Sequence, residues 1–428
     1  MEKLVIEGGV PLSGAVRIQG AKNAALPILA ASIMASGTHT LRNVPKLLDI
    51  EVMLGILRSL GCGAEHKEDT VVLDTTGLNS THVPEELMKQ MRSSIFLMGP
   101  LLSRFGTVQV YQPGGCAIGE RKIDLHLRGL QALGVTIEET GSTIICKAED
   151  LKGADITLDF PSVGATENIM MAAVLADGIT TISNAAREPE IQDLQNFLNA
   201  MGADIIGAGT DTITIRGVRS LHACTYRIIP DRIVAGTFMV AAAATKGSVT
   251  LEGVCPQHLN AAIHVLRRAG VQITVHDDII NVHAPTRPRA VERIVTAPHP
   301  SFPTDLQSQV MVLLSLADGI SIMKETIFES RFKHVDELTR MGADIRVDFN
   351  SAFIRGVPRL YGATVEATDL RAGAALVIAG LAAHGTTVVE QIHHVDRGYD
   401  RIEEMLTRLG ARIRRQAPVP DQAPVTGE

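Results

Sequence analysis

The chain has no tryptophan, and aromatic residues make up only 3% of it. Its cores must therefore be packed by aliphatic side chains and methionine, and apolar residues are plentiful at 45%. The five cysteines form no Cys-x-x-Cys pair, which excludes the common zinc spacings and a disulfide framework. Free thiols of this kind fit a reducing, cytoplasmic setting. No stretch approaches the roughly 20 apolar residues needed to span a bilayer. The N-terminus, MEKLVIEGG, leads straight into a strand without an apolar signal core. An excess of positive charge is also missing. The net charge of −7 argues against nucleic acid as the main partner, because a phosphate backbone demands a basic face. An anionic small molecule would need Arg and Lys gathered locally, against the overall sign.

In place of these features the chain has a repeat. An apolar Ala-rich segment, a Gly, a Thr-rich strand, a polar turn, an amphipathic segment and a second Gly recur six times. NAALPILAASIMASGTHTL opens one copy, and NIMMAAVLADGITTI and LQSQVMVLLSLADGISIM open two others. The first Gly falls at Gly37, Gly106, Gly178, Gly247, Gly319 and Gly385, the second at Gly61, Gly134, Gly202, Gly270, Gly342 and Gly410. The second copy is longer, and its excess lies in the turn YQPGGCAIGERKIDLH. A repeat builds a scaffold, and a departure from it is a place to look for function.

Each copy predicts a βαβαββ unit. The second helices are amphipathic, with Val52, Leu54, Ile56, Leu57 and Leu60 on one face of the first of them. The glycines that end them suit left-handed caps. The segments that follow alternate around a central turn, as hairpins do. The first helices are apolar all round and so should be buried. Buried helices inside sheets give a mixed α/β fold of two inside-out α/β barrel domains, each built of three units. We expect residues 1–21 plus 230–415 in one domain and 22–229 in the other, with crossings near 21 and 229. The N-terminal strands are expected to complete the last unit, and the Pro-rich 416–428 to be a disordered tail.

In such units the helix N-termini lie beyond the carboxyl ends of the strands, where unpaired N–H groups favour anions. The first-helix starts carry Lys22 and Asn23, Arg92, Ser162 and Gly164, Asp231 and Arg232, Asp305, and Asp369 and Arg371. The turns before the second helices carry Cys116 and Arg121, Arg187 with Glu188 and Glu190, Arg331, and Arg397. Taken singly these have plain readings. Asp305 and Asp369 fit helix caps, Ser162 and Gly164 a cap and a turn, and the arginines solvated turns. Recurrence at one structural position favours two mouths facing each other across a cleft. Cys62, Cys146, Cys224 and Cys255 read as small core residues. Cys116 differs, because PGGCAIGERK sets it between flexible glycines and close to Arg121 and Lys122, whose charge lowers a thiol pKa. That suits a lid bearing an acid or nucleophile.

The six-unit arrangement, with GAKNAALP, PGGCAIGERKIDLHLRGL, SVGATEN, FPTDLQSQ, TDLRAGAA and HVDRGYDRIE, resembles the enolpyruvyl transferases. It is most similar to those that open peptidoglycan synthesis by acting on UDP-N-acetylglucosamine. The resemblance covers the chain up to its tail and implies a two-domain cleft needing no cofactor or metal. It implies that Lys22, Cys116, Arg121 and Arg397 hold phosphoenolpyruvate, and that fosfomycin would alkylate Cys116. Asn23, Arg92, Arg121, Lys122, Ile123, Asp124, Leu125, Ser162, Val163, Gly164, Asp305 and Ile327 would contact the UDP-sugar. Asp305 would take the proton of the sugar 3-hydroxyl, and Asp369 and Arg371 would complete the cleft. The chain departs from the pattern at Lys122, commonly Pro, and at Leu48, which is Lys in some members. The implied reaction needs a base, an acid and several cations, and these residues supply them. The rivals are the relative acting on shikimate 3-phosphate, an RNA 3′-phosphate cyclase, and a non-enzymatic repeat scaffold. The Cys loop and RKIDLH disfavour the first, the negative charge the second, and the singular second copy the third.

Overall fold

The computed structural model describes residues 2–112, 119 and 122–417. Six small sheets surround two sets of apolar helices. The third copy displays the unit. Asp155–Thr157 runs parallel to Ile179–Ser183, across the helix Val163–Ala173. Pro189–Ala200 then leads to the hairpin of Asp204–Ile206 and Thr212–Arg216, and the latter pairs antiparallel with Ile179–Ser183. Period-two alternation turns Ile213 and Ile215 inward and leaves Thr212 and Arg216 exposed. The inner helices are buried all round, as their composition requires. In Arg232–Ala244 only the first residue escapes burial. Small side chains let Arg232–Ala244, Gln307–Ser315 and Leu370–Ala382 pack against one another. All six second glycines have φ between 88° and 105°, the left-handed conformation that ends each second helix without a Cβ clash.

Two hydrophobic clusters result. One is drawn from Leu4–Ile18 and Ile233–Ile413, the other from Ala21–Ile228. The chain passes between them at two adjacent places. Gly20 and Pro230 form a bridge, Ala21 N donates to Ile229 O at 2.8 Å, and Asp231 N donates to Gln19 O at 2.9 Å.

Three details differ from the sequence-based expectation. Lys3–Glu7 does complete the last copy, lying between Thr386–Glu390 and Arg412–Gln416, and its Lys3 pairs with Gln416, so Gln416 belongs to the sheet and not to the expected tail. Ser13–Arg17, however, runs parallel to Ser248–Glu252 and completes the fourth copy. The reason is that Thr225–Arg227, which precedes the fourth copy in sequence, pairs with Thr38–Arg42 of the first. Each crossing thus leaves a strand behind. In the second copy the leading strand shrinks to a single bridge between His82 and Gln109. Its inner helix also begins late, as the 3-10 segment Arg92–Leu97 followed by Met98–Phe105. Gly99 is needed there, because a Cβ would sit 2.4 Å from Asn168 O of the neighbouring helix. Finally, Cys62 and Cys146 are buried, with thiols pushed up by burial to about 11 and about 12. Cys224 and Cys255 are only half-buried. Among the described residues no helix is long and apolar enough to cross a membrane.

Candidate active site

A cleft of about 450 Å³ opens between the two clusters. One wall carries Asn23, Arg92, Lys122, Leu125 and Ser162–Gly164, and the other carries Ala297–His299, Pro303–Asp305, Ile327 and Phe328. Ser162 caps the helix Val163–Ala173, its Oγ accepting from Ala165 N at 3.3 Å, so the positive helix end faces the cleft. Gly164 lets that turn approach the ring of His126, which a Cβ would meet at 3.0 Å. Burial, then the charge of Arg92, lowers His126 to about 4, so it is neutral at physiological pH. On the opposite wall the Glu325 carboxylate shapes the strand exit. It accepts from Ile327 N at 2.8 Å and from the hydroxyls of Thr296 and Thr304 at 2.8 Å.

Beside the cleft, two carboxylates each grip two cations. Asp49 Oδ2 accepts from Lys22 Nζ at 2.8 Å, and Asp49 Oδ1 accepts from Arg397 Nε at 2.8 Å. Lys22 and Asp49 lie on helices of the Ala21–Ile228 cluster and Arg397 beside Val395 of the other, so this contact ties the two clusters together. Asp305 accepts from Arg331 Nη2 and from Arg371 Nη2, each at 2.8 Å. Burial alone would raise both carboxyls, but the adjacent cations overcome it. Lys22 and Arg397 hold Asp49 below its ordinary value, and Arg371 and Arg331 hold Asp305 well below the usual carboxylate range. Lys22 is lowered, chiefly by burial, with Arg371 and Arg397 adding repulsion against the attraction of Asp49. Four cations therefore gather where an overall acidic chain could least be expected to hold them. A ligand bearing phosphate or carboxylate would compete with the protein's own carboxylates for these cations.

Of the residues singled out from sequence, Asn23, Arg92, Lys122, Leu125, Ser162, Val163, Gly164, Glu188, Glu190, Arg232, Asp305 and Ile327 line the cleft. Lys22, Arg371 and Arg397 stand in the ion-paired clusters. Ile123 and Asp124 are not among the lining residues. Ile123 packs against the 21–228 core, and Asp124 is exposed beside Arg128. Asp369 takes its plain reading as a helix cap, its Oδ1 accepting from Arg371 N at 2.8 Å and Ala372 N at 3.0 Å. That cap sets the start of the turn from which Arg371 reaches Asp305. Asp231 likewise caps Arg232–Ala244, and its Oδ2 also accepts from Lys22 N at 3.2 Å. Arg187 is a surface residue near Asp211. Cys116 and Arg121 lie outside the described residues. Asp49 escaped the sequence reading because an acid in the first turn of a helix looks like a response to the helix dipole. Arg331 was marked only as a turn residue, and nothing local tied it to Asp305.

The family model for EPSP synthase (3-phosphoshikimate 1-carboxyvinyltransferase) matches residues 6–406. The chain belongs to this family of carboxyvinyl (enolpyruvyl) transferases. Within it, the chain is 53% identical over 413 residues to UDP-N-acetylglucosamine 1-carboxyvinyltransferase 2 of Caldanaerobacter subterraneus, covering 96% of this chain and 99% of that one. It is 51% identical over 415 residues to UDP-N-acetylglucosamine 1-carboxyvinyltransferase of Geobacter metallireducens, covering 97% and 99%. Among solved structures, the enolpyruvyl transferase NikO from Streptomyces tendae superposes with a TM-score of 0.88 at 29% identity, over 97% of this chain and 99% of that one. EPSP synthase from Acinetobacter baumannii shares the fold, with a TM-score of 0.75 at 20% identity over 97% and 100% of the two chains.

Proposed function

We propose that the protein transfers the enolpyruvyl group of phosphoenolpyruvate to the 3-hydroxyl of UDP-N-acetylglucosamine and releases phosphate, the first committed step of peptidoglycan synthesis. The observation that carries this reading is the meeting of Lys22 and Arg397 on Asp49, and of Arg331 and Arg371 on Asp305, at a cleft of about 450 Å³. The reaction adds the sugar oxygen to C2 of phosphoenolpyruvate while C3 gains a proton. The intermediate then expels phosphate from C2 and loses a proton from C3, restoring the double bond. Lys22, Arg121 and Arg397 hold the phosphate and carboxylate, Cys116 delivers the proton to C3, and Asp305 removes the hydroxyl proton. A carboxylate paired with two guanidiniums is a weak base. Its basicity recovers if the anionic substrate draws Arg371 or Arg331 away, which couples proton removal to a filled site. The chain works in the cytoplasm. Its domains are 1–21 plus 230–415 and 22–229, closing on the substrates. By its relation to the family, fosfomycin alkylates Cys116.

UDP-N-acetylglucosamine is expected to raise the melting temperature by an amount set by its concentration over its dissociation constant, and shikimate 3-phosphate to leave it unchanged. Phosphate release from phosphoenolpyruvate should depend on the same sugar nucleotide. Stabilisation and turnover with shikimate 3-phosphate in its place would reverse the choice of substrate.

A second expectation concerns Asp49. Its charge opposes the burial and repulsion that lower Lys22. In Asp49→Asn, Lys22 loses its proton more readily, so the alkaline decline of phosphoenolpyruvate affinity should move to lower pH. Titration calorimetry across pH, wild type against variant, tests this. An unmoved decline would show that Asp49 does not govern the charge of Lys22.

A further inference from the structure

The wall of the cleft holds a carboxyl that the proposed chemistry does not use. Glu167 lies on the second turn of the helix Val163–Ala173, is 0% exposed, and stands among the residues that line the cleft. Neither of its carboxyl oxygens has a hydrogen-bond partner among the described residues. Its helix neighbours are engaged. Thr166 Oγ1 donates to Ser162 O at 2.8 Å and accepts from Ala186 N at 3.1 Å. Asn168 binds Gly99 N, Ile95 O and His126 Nδ1 at 2.9–3.0 Å. Arg232, a cation that also lines the cleft, is engaged as well, holding Glu190 through two bonds of 3.0 and 3.3 Å. Burial, and then the charges of Glu190 and Glu188, push the Glu167 carboxyl well above its ordinary value, which favours its protonated form. A protonated carboxyl offers one O–H donor and one carbonyl acceptor. A buried group of this kind is costly unless something bonds to it. A metal ion does not fit, because no set of three acids, histidines or cysteines among the described residues is arranged to hold one. An anion does not fit beside Glu188 and Glu190. An uncharged group with both a donor and an acceptor does.

We propose that Glu167 is a specificity-determining residue that hydrogen-bonds the uncharged sugar of the nucleotide substrate, at a hydroxyl or at the acetamido group. This inference rests on the function proposed above. A sugar seated at the start of this helix, with its nucleotide directed towards Arg92 and Lys122, would bring such groups to the Glu167 carboxyl. A neutral amide of the same shape should replace the protonated acid, whereas an aliphatic side chain should not.

The test is titration calorimetry of wild type, Glu167→Gln and Glu167→Leu with UDP-N-acetylglucosamine, UDP-glucose and UDP. Glu167→Leu should bind UDP-N-acetylglucosamine about tenfold more weakly, as loss of a buried hydrogen bond implies, and bind UDP as wild type does. Glu167→Gln should recover most of the affinity, with the melting temperature of both variants at or above that of wild type. A parallel loss with UDP-glucose assigns the bond to a hydroxyl, and a loss confined to UDP-N-acetylglucosamine assigns it to the acetamido group. Undiminished binding of the sugar nucleotide to Glu167→Leu, or an equal loss for UDP, overturns the assignment. Glu167→Ala serves the same comparison if leucine prevents folding. Failure of wild type to bind either nucleotide would instead remove the proposed function, and this assignment with it.

Discussion

Asp305→Asn is expected to lose roughly 10²–10⁴-fold in turnover, the usual cost of removing a general base. The amide keeps the shape of the carboxyl and one oxygen to accept from Arg331 or Arg371, but it cannot take a proton from the sugar hydroxyl. Asp305→Ala should lose as much activity and also stability. Arg331 and Arg371 have only 4% and 6% of their side-chain surface exposed, and both donate to this carboxylate at 2.8 Å. Stripping the partner from buried charges costs up to about 3–5 kcal/mol. Asp305 itself keeps 24% side-chain exposure, which places the loss towards the lower end. Comparing kcat and melting temperature in the two variants therefore separates catalysis from structure. An Asn variant with near-normal turnover would leave Asp305 as a structural counter-ion to its two arginines, and the base would have to be sought elsewhere.

Cys116→Ser should likewise lose most activity, roughly 10²–10⁴-fold if the thiol is the acid, because a hydroxyl is far less acidic. Cys116→Asp should remain active, since a carboxyl can also donate a proton, and its pH optimum should move down because the carboxyl must stay protonated to act. Fosfomycin should label Cys116 in the wild type, faster in the presence of the sugar nucleotide, and should not label the Asp variant. The rest of the chain sharpens this test. Burial raises the thiols of Cys62, Cys146, Cys224 and Cys255 above their ordinary value, which leaves them poor nucleophiles at neutral pH. Peptide mapping after treatment, with pH–rate profiles of the three enzymes, decides the matter. Label on any of those four with Cys116 unmodified, or a fully active Cys116→Ser enzyme, would end the catalytic assignment.

The local rules of the chain determined its repeating architecture. Helices rich in alanine with no polar face can only be interior, and a glycine after each amphipathic helix marks a left-handed stop. Alternating pairs after that glycine make hairpins. Six copies of such a unit bring their helix starts together, which is why the repeat itself points to Lys22, Asn23, Arg92, Ser162, Asp305, Arg371 and Arg397. What the tertiary structure decided is how charges pair over distance. Asp49 and Arg397 are 348 positions apart in the chain, and an acid in a first helical turn has the same local signature whether it meets solvent or the cation of another domain. The swap of Ser13–Arg17 and Thr225–Arg227 between copies has a similar origin. A short strand pairs with whichever sheet edge the crossing chain sets beside it, and its own alternation does not name that edge. Protonation of Glu167 and ionisation of Asp305 were also beyond the sequence. The two carboxyls differ in the charges that folding places around them: two acids near the first and two guanidiniums on the second.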